Sequence, residues 1–379
     1  MPAARRFTRL AVGWAALSEL VPYYPLYALL FLDTGLDAAE VSALFAVWSI
    51  AGLLTEVPAG VLADRWSRRG AVVLAGVLQA AGFALWTAAP GTVAFAVGFA
   101  VWGVAGALAS GAVEALVYDG LAALGARDSY ARVNGWMTSA ELLVQVPTAA
   151  AATVLFAVGG YPLVGWVSVG VCLAAAALAL RFPEARHVAE DDPAGALRQG
   201  LAQALRRPGL RLVVLAVALL GGLDAVEEYI PVMARDWGVP TAAVPAAALA
   251  VALAGALGAA LGGRAERLPT RWLLALLVGA GLSLAAAALW ARPAALAAVA
   301  AGYGLYLAVL VVAEARLQHR IVGAHRAAIT SVAGLGLELA SLLVFAAWAV
   351  GGPFAVAGLF LAVVPVVAAG LHTRTPVAR

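Results

Sequence analysis

Gly60-Val61-Leu62-Ala63-Asp64-Arg65-Trp66-Ser67-Arg68-Arg69 lies between two long apolar runs, roughly residues 39–63 and 70–88. A helix needs about 20 apolar residues to cross the hydrocarbon core of a bilayer, and both runs reach that length. The ten residues therefore form a short polar turn at a membrane face: an acid where one span ends, then arginines before the next begins. A degenerate copy stands far downstream. Ala63-Asp64-Arg65 with Arg69 recurs as Ala265-Glu266-Arg267 with Arg271, an offset of 202 residues.

Outward from this turn, apolar runs continue along the chain. Spans are expected near 11–32, 39–63, 70–88, 93–118, 133–158, 161–180, 210–232, 241–263, 271–290, 294–315, 327–350 and 353–371, twelve in all. The 379 residues are 64% hydrophobic and 12% charged. A soluble domain carries about 25% charged residues, so this chain has too few to cover a water-facing surface. Cys172 is the single cysteine, which excludes an internal disulfide and a cysteine-based metal site. Small-residue spacings such as Gly258 and Gly262 suggest closely packed helices.

The basic residues are all arginine, and their placement orients the spans. Twenty-two of the 24 fall in turns and tails on the side of the first ten residues; only Arg235 and Arg292 fall on the other. Cytoplasmic loops collect positive charge, so both termini are expected in the cytoplasm. The net charge of +3 is thus a topology signal, and nucleic-acid binding is not expected. Met1 to Leu10, with its three arginines, is read as a cytoplasmic tail rather than a secretory signal. Trp66, Trp86, Trp136, Trp237, Trp272 and Trp290 fall near expected span ends, where amphipathic rings favour the interface.

The longest polar stretch, 182–207, separates six spans from six, and Ala194 to Arg207 reads as a short amphipathic helix. The halves are 1–181 and 208–379. They echo one another beyond the charged turn. Gly35 and Gly52 recur as Gly238 and Gly255, Tyr23-Tyr24-Pro25 as Tyr229-Ile230-Pro231, and Glu114-Ala115 as Glu314-Ala315. Parallel six-span repeats mark one transporter architecture, with its substrate site at the repeat interface near the membrane midplane.

With these features the chain resembles the major facilitator superfamily. The Gly60 to Arg69 stretch is similar to that family's motif between spans 2 and 3, lacking only the usual Gly after Arg65. Its degenerate copy at Gly262 to Arg271 stands between spans 8 and 9. The resemblance implies an all-α membrane protein, twelve transmembrane helices in two pseudo-symmetric six-helix bundles that rock about a central cavity. The motif charges are then a cytoplasmic gate. Asp64 can cap a neighbouring helix N-terminus or pair with a loop arginine. Arg65, Arg69, Glu266 and Arg267 share that role, and Glu56, Glu114 and Glu314, near the inner ends of their spans, support it. Within the superfamily the chain resembles bacterial twelve-span drug and metabolite efflux proteins, through Ser110-Gly111-Ala112-Val113-Glu114-Ala115-Leu116-Val117-Tyr118-Asp119. It departs from them in having no Gly-Pro pair in span 5 and no arginine in span 4.

Acids inside a span cost at least about 2.5–3.5 kcal/mol and point to function by default. Glu19 lies mid-span, with Tyr23 and Tyr27 at i+4 and i+8, one helix face if the helix is continuous. Pro22 and Pro25 break it locally, and Glu19 has the alternative task of bonding backbone groups that the prolines free. The repeat partner span carries Asp224, Glu227 and Glu228, and two carboxyls this close disfavour double ionisation. Glu141 and Glu338 hold equivalent places in spans 5 and 11. Tyr303 and Tyr306 offer an aromatic wall.

No phosphate loop, metal-ligand cluster or nucleophile–base pair appears, so no enzyme activity and no cofactor are expected; a proton gradient is the energy source. The expected activity is proton-coupled export of a lipophilic or cationic small molecule by a monomer in a bacterial inner membrane. An importer or uniporter of the same fold is the alternative. A non-transporting sensor or a lipid-modifying enzyme is remote.

Overall fold

The computed structural model describes residues 2–184, 202, 208–265, 267–321 and 326–372. Regular structure among them is helical throughout. The first half supplies α1 (Pro2–Glu19), α2 (Tyr27–Asp33), α3 (Ala38–Arg65), α4 (Arg68–Ala88), α5 (Thr92–Ala109), α6 (Ala112–Ala123) and α7 (Tyr130–Ala179). The second supplies α8 (Pro208–Gly222), α9 (Ile230–Asp236), α10 (Val244–Ala265), α11 (Thr270–Trp290), α12 (Leu296–Arg320), α13 (Arg326–Ala362) and α14 (Val364–His372). Glu266 and nearly all of the expected linker helix lie outside the described residues.

Among the described residues, nine helical stretches are long and apolar enough to cross a membrane. Eleven of the twelve expected spans fall on these stretches; the first, 11–32, falls on none of them. The first is interrupted between Glu19 and Tyr27. Pro22 and Pro25 lack an amide hydrogen, and their rings clash with a helical carbonyl one turn back. Turn bonds replace the helix there, Tyr24 N–H to Val21 O at 3.2 Å and Leu26 N–H to Tyr23 O at 2.9 Å. The fourth breaks at Ser110 and Gly111, between α5 and α6. The seventh winds into a tighter 3₁₀ segment over Leu223–Tyr229, between α8 and α9.

Two stretches, Arg127–Ala179 and Val332–His372, run through two expected spans each. Each contains a non-helical glycine pair. Gly159 (φ −143°, ψ 15°) and Gly160 (φ 60°, ψ −159°) match Gly351 (φ −150°, ψ 17°) and Gly352 (φ 56°, ψ −145°). The second member of each pair occupies a region essentially reserved for glycine. The repeat between Gly35 and Gly238 also has a backbone cause. Leu36 N–H bonds Phe31 O and Gly35 N–H bonds Leu32 O; Val239 N–H bonds Ala234 O and Gly238 N–H bonds Arg235 O. Both are Schellman caps, with glycine in the left-handed conformation closing the helix.

The chain forms two compact units: Met1–Leu36, Leu44–Asp191 and Thr241–Ala246 in unit 1; Asp37–Ala43, Asp192–Pro240 and Ala247–Arg379 in unit 2. In unit 1, α4 packs on α5 and α7, and α1 on α7. By position along the helices, one end of this unit is an aromatic cluster. Phe31 lies 4.3 Å from Phe95 and Trp86 lies 4.8 Å from Phe99, centroid to centroid. Trp86, expected at the interface, is fully buried in this cluster. The other end is an aliphatic core closed by Phe182, edge-on to Phe7 and Trp14 at 6.1 Å each. In unit 2, α8 packs on α13 and α14, and α11 on α12 and α13. The Gly258 spacing has its expected use: a Cβ there would collide with the Gly304 carbonyl.

Valine at Gly160 or at Gly352 is expected to cost about 1–3 kcal/mol, because each position needs a backbone conformation that a side chain disfavours. Gly13→Ala, inside α1 with no atom near the new methyl, is expected to leave stability unchanged or slightly raised. Thermal unfolding of the purified protein in detergent checks this. Valine variants that melt with the wild type would refute it.

Candidate functional site

Three clusters of polar groups stand out, two in unit 1 and one in unit 2. The first is the charged turn. Ser67 caps α4, its hydroxyl oxygen accepting from Gly70 N–H at 2.7 Å. The cap sets the register of the arginines that follow. Arg68 reaches back to Asp64 at 2.8 Å and across to Asp119 of α6 at 2.6 Å. Arg69 pairs with Glu184 at 3.4 Å and donates to the Phe182 carbonyl at 3.3 Å. Ser67 also donates to Glu184 at 2.6 Å. Asp64 and Arg69, expected in the gate, are thus engaged. Arg65, expected beside them, is exposed at the end of α3, and Arg68 takes the partner role. The helix boundary decides this: Arg65 belongs to the helix that ends there, whereas Arg68 opens the next helix, one turn from Asp64.

The second cluster surrounds a cavity of about 460 Å³ whose lining residues all belong to unit 1. Glu19 lines it from the end of α1, and Asn134, Thr138 and Glu141 line it from one face of α7. Glu19 and Glu141 lie within electrostatic reach of one another. Tyr24, Trp14 and Trp102 form aromatic wall, and Gln79 donates from its amide to the Tyr24 hydroxyl at 2.9 Å. Glu114 lines the end nearest the charged turn; Glu56, close by in sequence to that end of α3, accepts from Ser110 at 3.0 Å.

Tyr23 and Tyr27 do not line the cavity. The helix face they were expected to share with Glu19 ends where α1 ends. Tyr23 is buried, its hydroxyl accepting from Thr87 at 3.4 Å and its N–H donating to Ser168 Oγ at 3.1 Å. Tyr27 packs among Phe31, Phe45, Trp86 and Phe99. The turn redirects the chain so that Tyr24 faces the cavity instead.

The third cluster sits in unit 2 on the 3₁₀ segment. In that winding, residues three apart eclipse, which stacks Asp224 over Glu227. Tyr303 of α12 meets both: its hydroxyl lies 2.9 Å from Asp224 Oδ1 and 3.0 Å from Glu227 Oε2. One turn on, Tyr306 donates to the Leu220 carbonyl at 2.7 Å, where the winding changes. Glu314, expected at the cytoplasmic gate, shares this face of α12 and lies within electrostatic reach of Asp224 and Tyr306. Glu338 is half-buried on α13, whose Leu337 and Ala340 pack onto Gly221 and Gly222 just before the segment. Arg267 is exposed, and Glu266 lies outside the described residues.

Sequence reasoning missed Arg68, Asp119, Tyr24, Gln79, Trp102 and Asn134. Part of the signal was present: Asn134, Thr138 and Glu141 fall at i, i+4 and i+7 of one helix, and Gln79 is a lone amide in an apolar span.

A family model described as Major Facilitator Superfamily matches residues 11–345. No curated protein matches the sequence at a significant level. Among solved structures, the fold is similar to that of the nucleoside transporter NupG, with a TM-score of 0.74 at 13% identity over 97% of this chain and 98% of that one. It is similar to the POT family transporter PepTSo, with a TM-score of 0.73 at 13% identity over 96% and 97%. It is also similar to a D-xylose–proton symporter, with a TM-score of 0.68 at 14% identity over 95% of each. At such identities the likeness is one of fold.

Asp119 is nearly buried, its side chain 7% exposed, and Arg68 neutralises it. Arg68→Ala is therefore expected to destabilise the protein by about 1–3 kcal/mol, the cost of removing a charged hydrogen-bond partner from a buried group. Arg65→Ala is expected to change little. Adding Asp119→Asn to Arg68→Ala should recover part of the loss, measured as coupling in a double-mutant cycle of unfolding. Equal stability of the two alanine variants would contradict the assignment.

Proposed function

The chain belongs to the Major Facilitator Superfamily and is a multi-pass membrane protein with that family's transporter fold; from that premise we propose that it is a proton-coupled secondary transporter that exports a lipophilic or cationic small molecule. Twelve crossings fit this reading. The nine qualifying stretches become eleven when Arg127–Ala179 and Val332–His372 are each divided at their glycine pair, and the interrupted α1–α2 path is the twelfth. A 53-residue helix would be about 80 Å long, far beyond one bilayer core of about 30 Å. With both termini cytoplasmic in a bacterial inner membrane, the arginine-rich turns meet the positive-inside rule. The protein works as a monomer, without a cofactor, on the proton gradient.

The observation that carries proton coupling is the Asp224–Tyr303–Glu227 arrangement. The phenol has one hydrogen for two carboxyl oxygens. A proton on either carboxyl supplies the second hydrogen and satisfies all three groups. Without it, both carboxyls are anionic and the phenol gives its hydrogen to one of these two oxygens at a time. The cluster thus has two proton counts with different hydrogen bonding, on a helix segment whose winding is already irregular. Such a device alternates access if the two counts favour different states of the transporter, since a ligand shifts an equilibrium only by its differential affinity. Glu19 is the second group able to exchange a proton, at the equivalent break in the other half.

The substrate class follows from charge. The unit 1 cavity has Glu19, Glu114 and Glu141 in its lining and no arginine or histidine. It repels anions and suits a cation with an apolar body.

Proteoliposomes loaded with a pH dye test this reading. Challenge with lipophilic cations, neutral drugs and sugars is expected to evoke proton movement with the cations. Asp224→Asn is expected to reduce that flux at least tenfold, and Tyr303→Phe to reduce it severalfold. Solute movement with no proton signal in any variant would replace antiport with facilitated diffusion. Proton and solute moving in the same direction would make the protein an importer.

A further inference from the structure

We propose that the start of α11, in unit 2, binds the phosphate of an anionic phospholipid headgroup, held by Arg267, Arg271 and the Thr270 hydroxyl with the Arg316 guanidinium beside them. The site stands apart from the transport cycle. It requires only a bilayer around the chain, which the membrane-length helices already imply.

The two halves carry the same charged turn and complete it differently. In unit 1 the start of α4 holds an anion. Ser67 caps the helix and donates from its hydroxyl to Glu184 Oε2 at 2.6 Å, and Arg69 reaches the same oxygen at 3.4 Å. In unit 2 the equivalent positions are Pro269 for Ser67 and Arg271 for Arg69. Proline has no side-chain acceptor; no side chain caps the 21-residue α11, and its first turn contains no acid. The first amides of a helix have no partner within it, and their dipoles favour a negative charge. Phosphate groups are the common occupants of such termini. Glu266 corresponds to Asp64, and in unit 1 that acid pairs with Arg68 and leaves the place beside Ser67 and Arg69 to Glu184.

Cations converge on this terminus. Arg316 of α12 donates to Thr270 Oγ1 and to the Leu268 carbonyl at 3.0 Å each, which brings its guanidinium to the first residue of α11. A hydroxyl has one hydrogen and two lone pairs. Thr270 accepts from Arg316 and keeps its hydrogen for an oxyanion, the service that Ser67 gives Glu184. Arg267 and Arg271 are exposed. Among the described residues, Arg267 has no hydrogen-bonding or ionic partner, and Arg271 meets only the Trp272 ring, 6.0 Å from its guanidinium. Guanidinium donors match phosphate oxygens in geometry and charge. Trp272 fixes the source of that phosphate. It is 54% exposed at the beginning of a membrane-length helix, where amphipathic rings sit at headgroup level. A phosphate at that depth belongs to a lipid.

The test titrates purified full-length protein in maltoside micelles with tail-labelled phosphatidylglycerol and phosphatidylcholine, read by fluorescence anisotropy. Phosphatidylglycerol is expected to bind saturably and at least fivefold more tightly than phosphatidylcholine. Arg267→Ala and Arg271→Ala are each expected to weaken phosphatidylglycerol binding about fivefold, the usual effect of one arginine at an anionic membrane surface. Arg65→Ala, which removes the equivalent exposed arginine of unit 1, is expected to leave affinity unchanged, and so is Glu266→Gln. A hundredfold excess of inorganic phosphate is expected to leave the lipid bound. In vesicles, a phosphatidylglycerol with a photoreactive diazirine on its headgroup is expected to label wild-type peptides spanning 264–275 or 313–321; this arm needs no variant to fold. The proposal is overturned by equal affinity for the two lipids, by wild-type affinity in both Arg267→Ala and Arg271→Ala, or by an equal loss in Arg65→Ala, which would reduce the effect to general charge attraction. Tighter lipid binding in Glu266→Gln would give the place to that carboxylate, and displacement by inorganic phosphate would give it to a soluble anion; either overturns the lipid site, as does labelling confined to unit 1.

Discussion

A backbone amide or carbonyl released inside a bilayer finds no water to bond. Two of the helix interruptions in this chain come with their own side-chain partners. At the break after α1, Ser168 accepts from Tyr23 N–H and Thr148 donates to the Glu19 carbonyl. At the change of winding after α8, Tyr306 donates to the Leu220 carbonyl. These are also the places where acids stand, Glu19 at the first and Asp224 and Glu227 at the second. The coincidence has a physical basis. An irregular backbone exposes dipoles and admits polar neighbours, so a carboxyl costs less there than along an unbroken helix.

Charge is managed differently at the membrane face and in the interior. At the face, Arg68 lies between Asp64 and Asp119, and Arg69 holds Glu184 to the turn. In the interior, the acids within each cluster, Glu19 with Glu141 and Asp224 with Glu227, stand near one another and near phenols or aromatic rings. Paired charges stabilise structure; carboxyls facing a phenol or an empty volume respond to a proton or a ligand. That contrast separates the paired charges of the turn from the two interior clusters.

The halves share backbone devices more faithfully than side-chain ones. The Schellman caps at Gly35 and Gly238 and the breaks at Gly160 and Gly352 are near copies. The charged turn is not. The position equivalent to Arg68 is Thr270, and there the cation arrives from another helix: Arg316 of α12 donates to Thr270 Oγ1 and to the Leu268 carbonyl at 3.0 Å each. Backbone geometry is constrained by the fold of each half, and side chains are free to diverge. A carboxyl-lined cavity in one unit and a carboxyl–phenol cluster in the other is such a divergence.

Hydropathy, arginine placement and the 200-residue echo determined from sequence alone that the chain is a helical membrane protein built from two related halves. Those features rest on lengths and composition, which local chemistry enforces residue by residue. The acids at Glu19, Glu141, Asp224 and Glu227 were legible for the same reason, since a carboxyl in an apolar span stands out without any coordinates. Which neighbours they meet was not. The α1 break turned Tyr23 and Tyr27 into the core and Tyr24 toward the cavity, and the helix boundary between Arg65 and Arg68 gave Asp64 to Arg68 rather than Arg65. The tight winding after Gly222 put Asp224 and Glu227 under one hydroxyl. Each outcome depends on where a helix stops and which way the chain turns, and that is decided by packing between segments far apart in sequence.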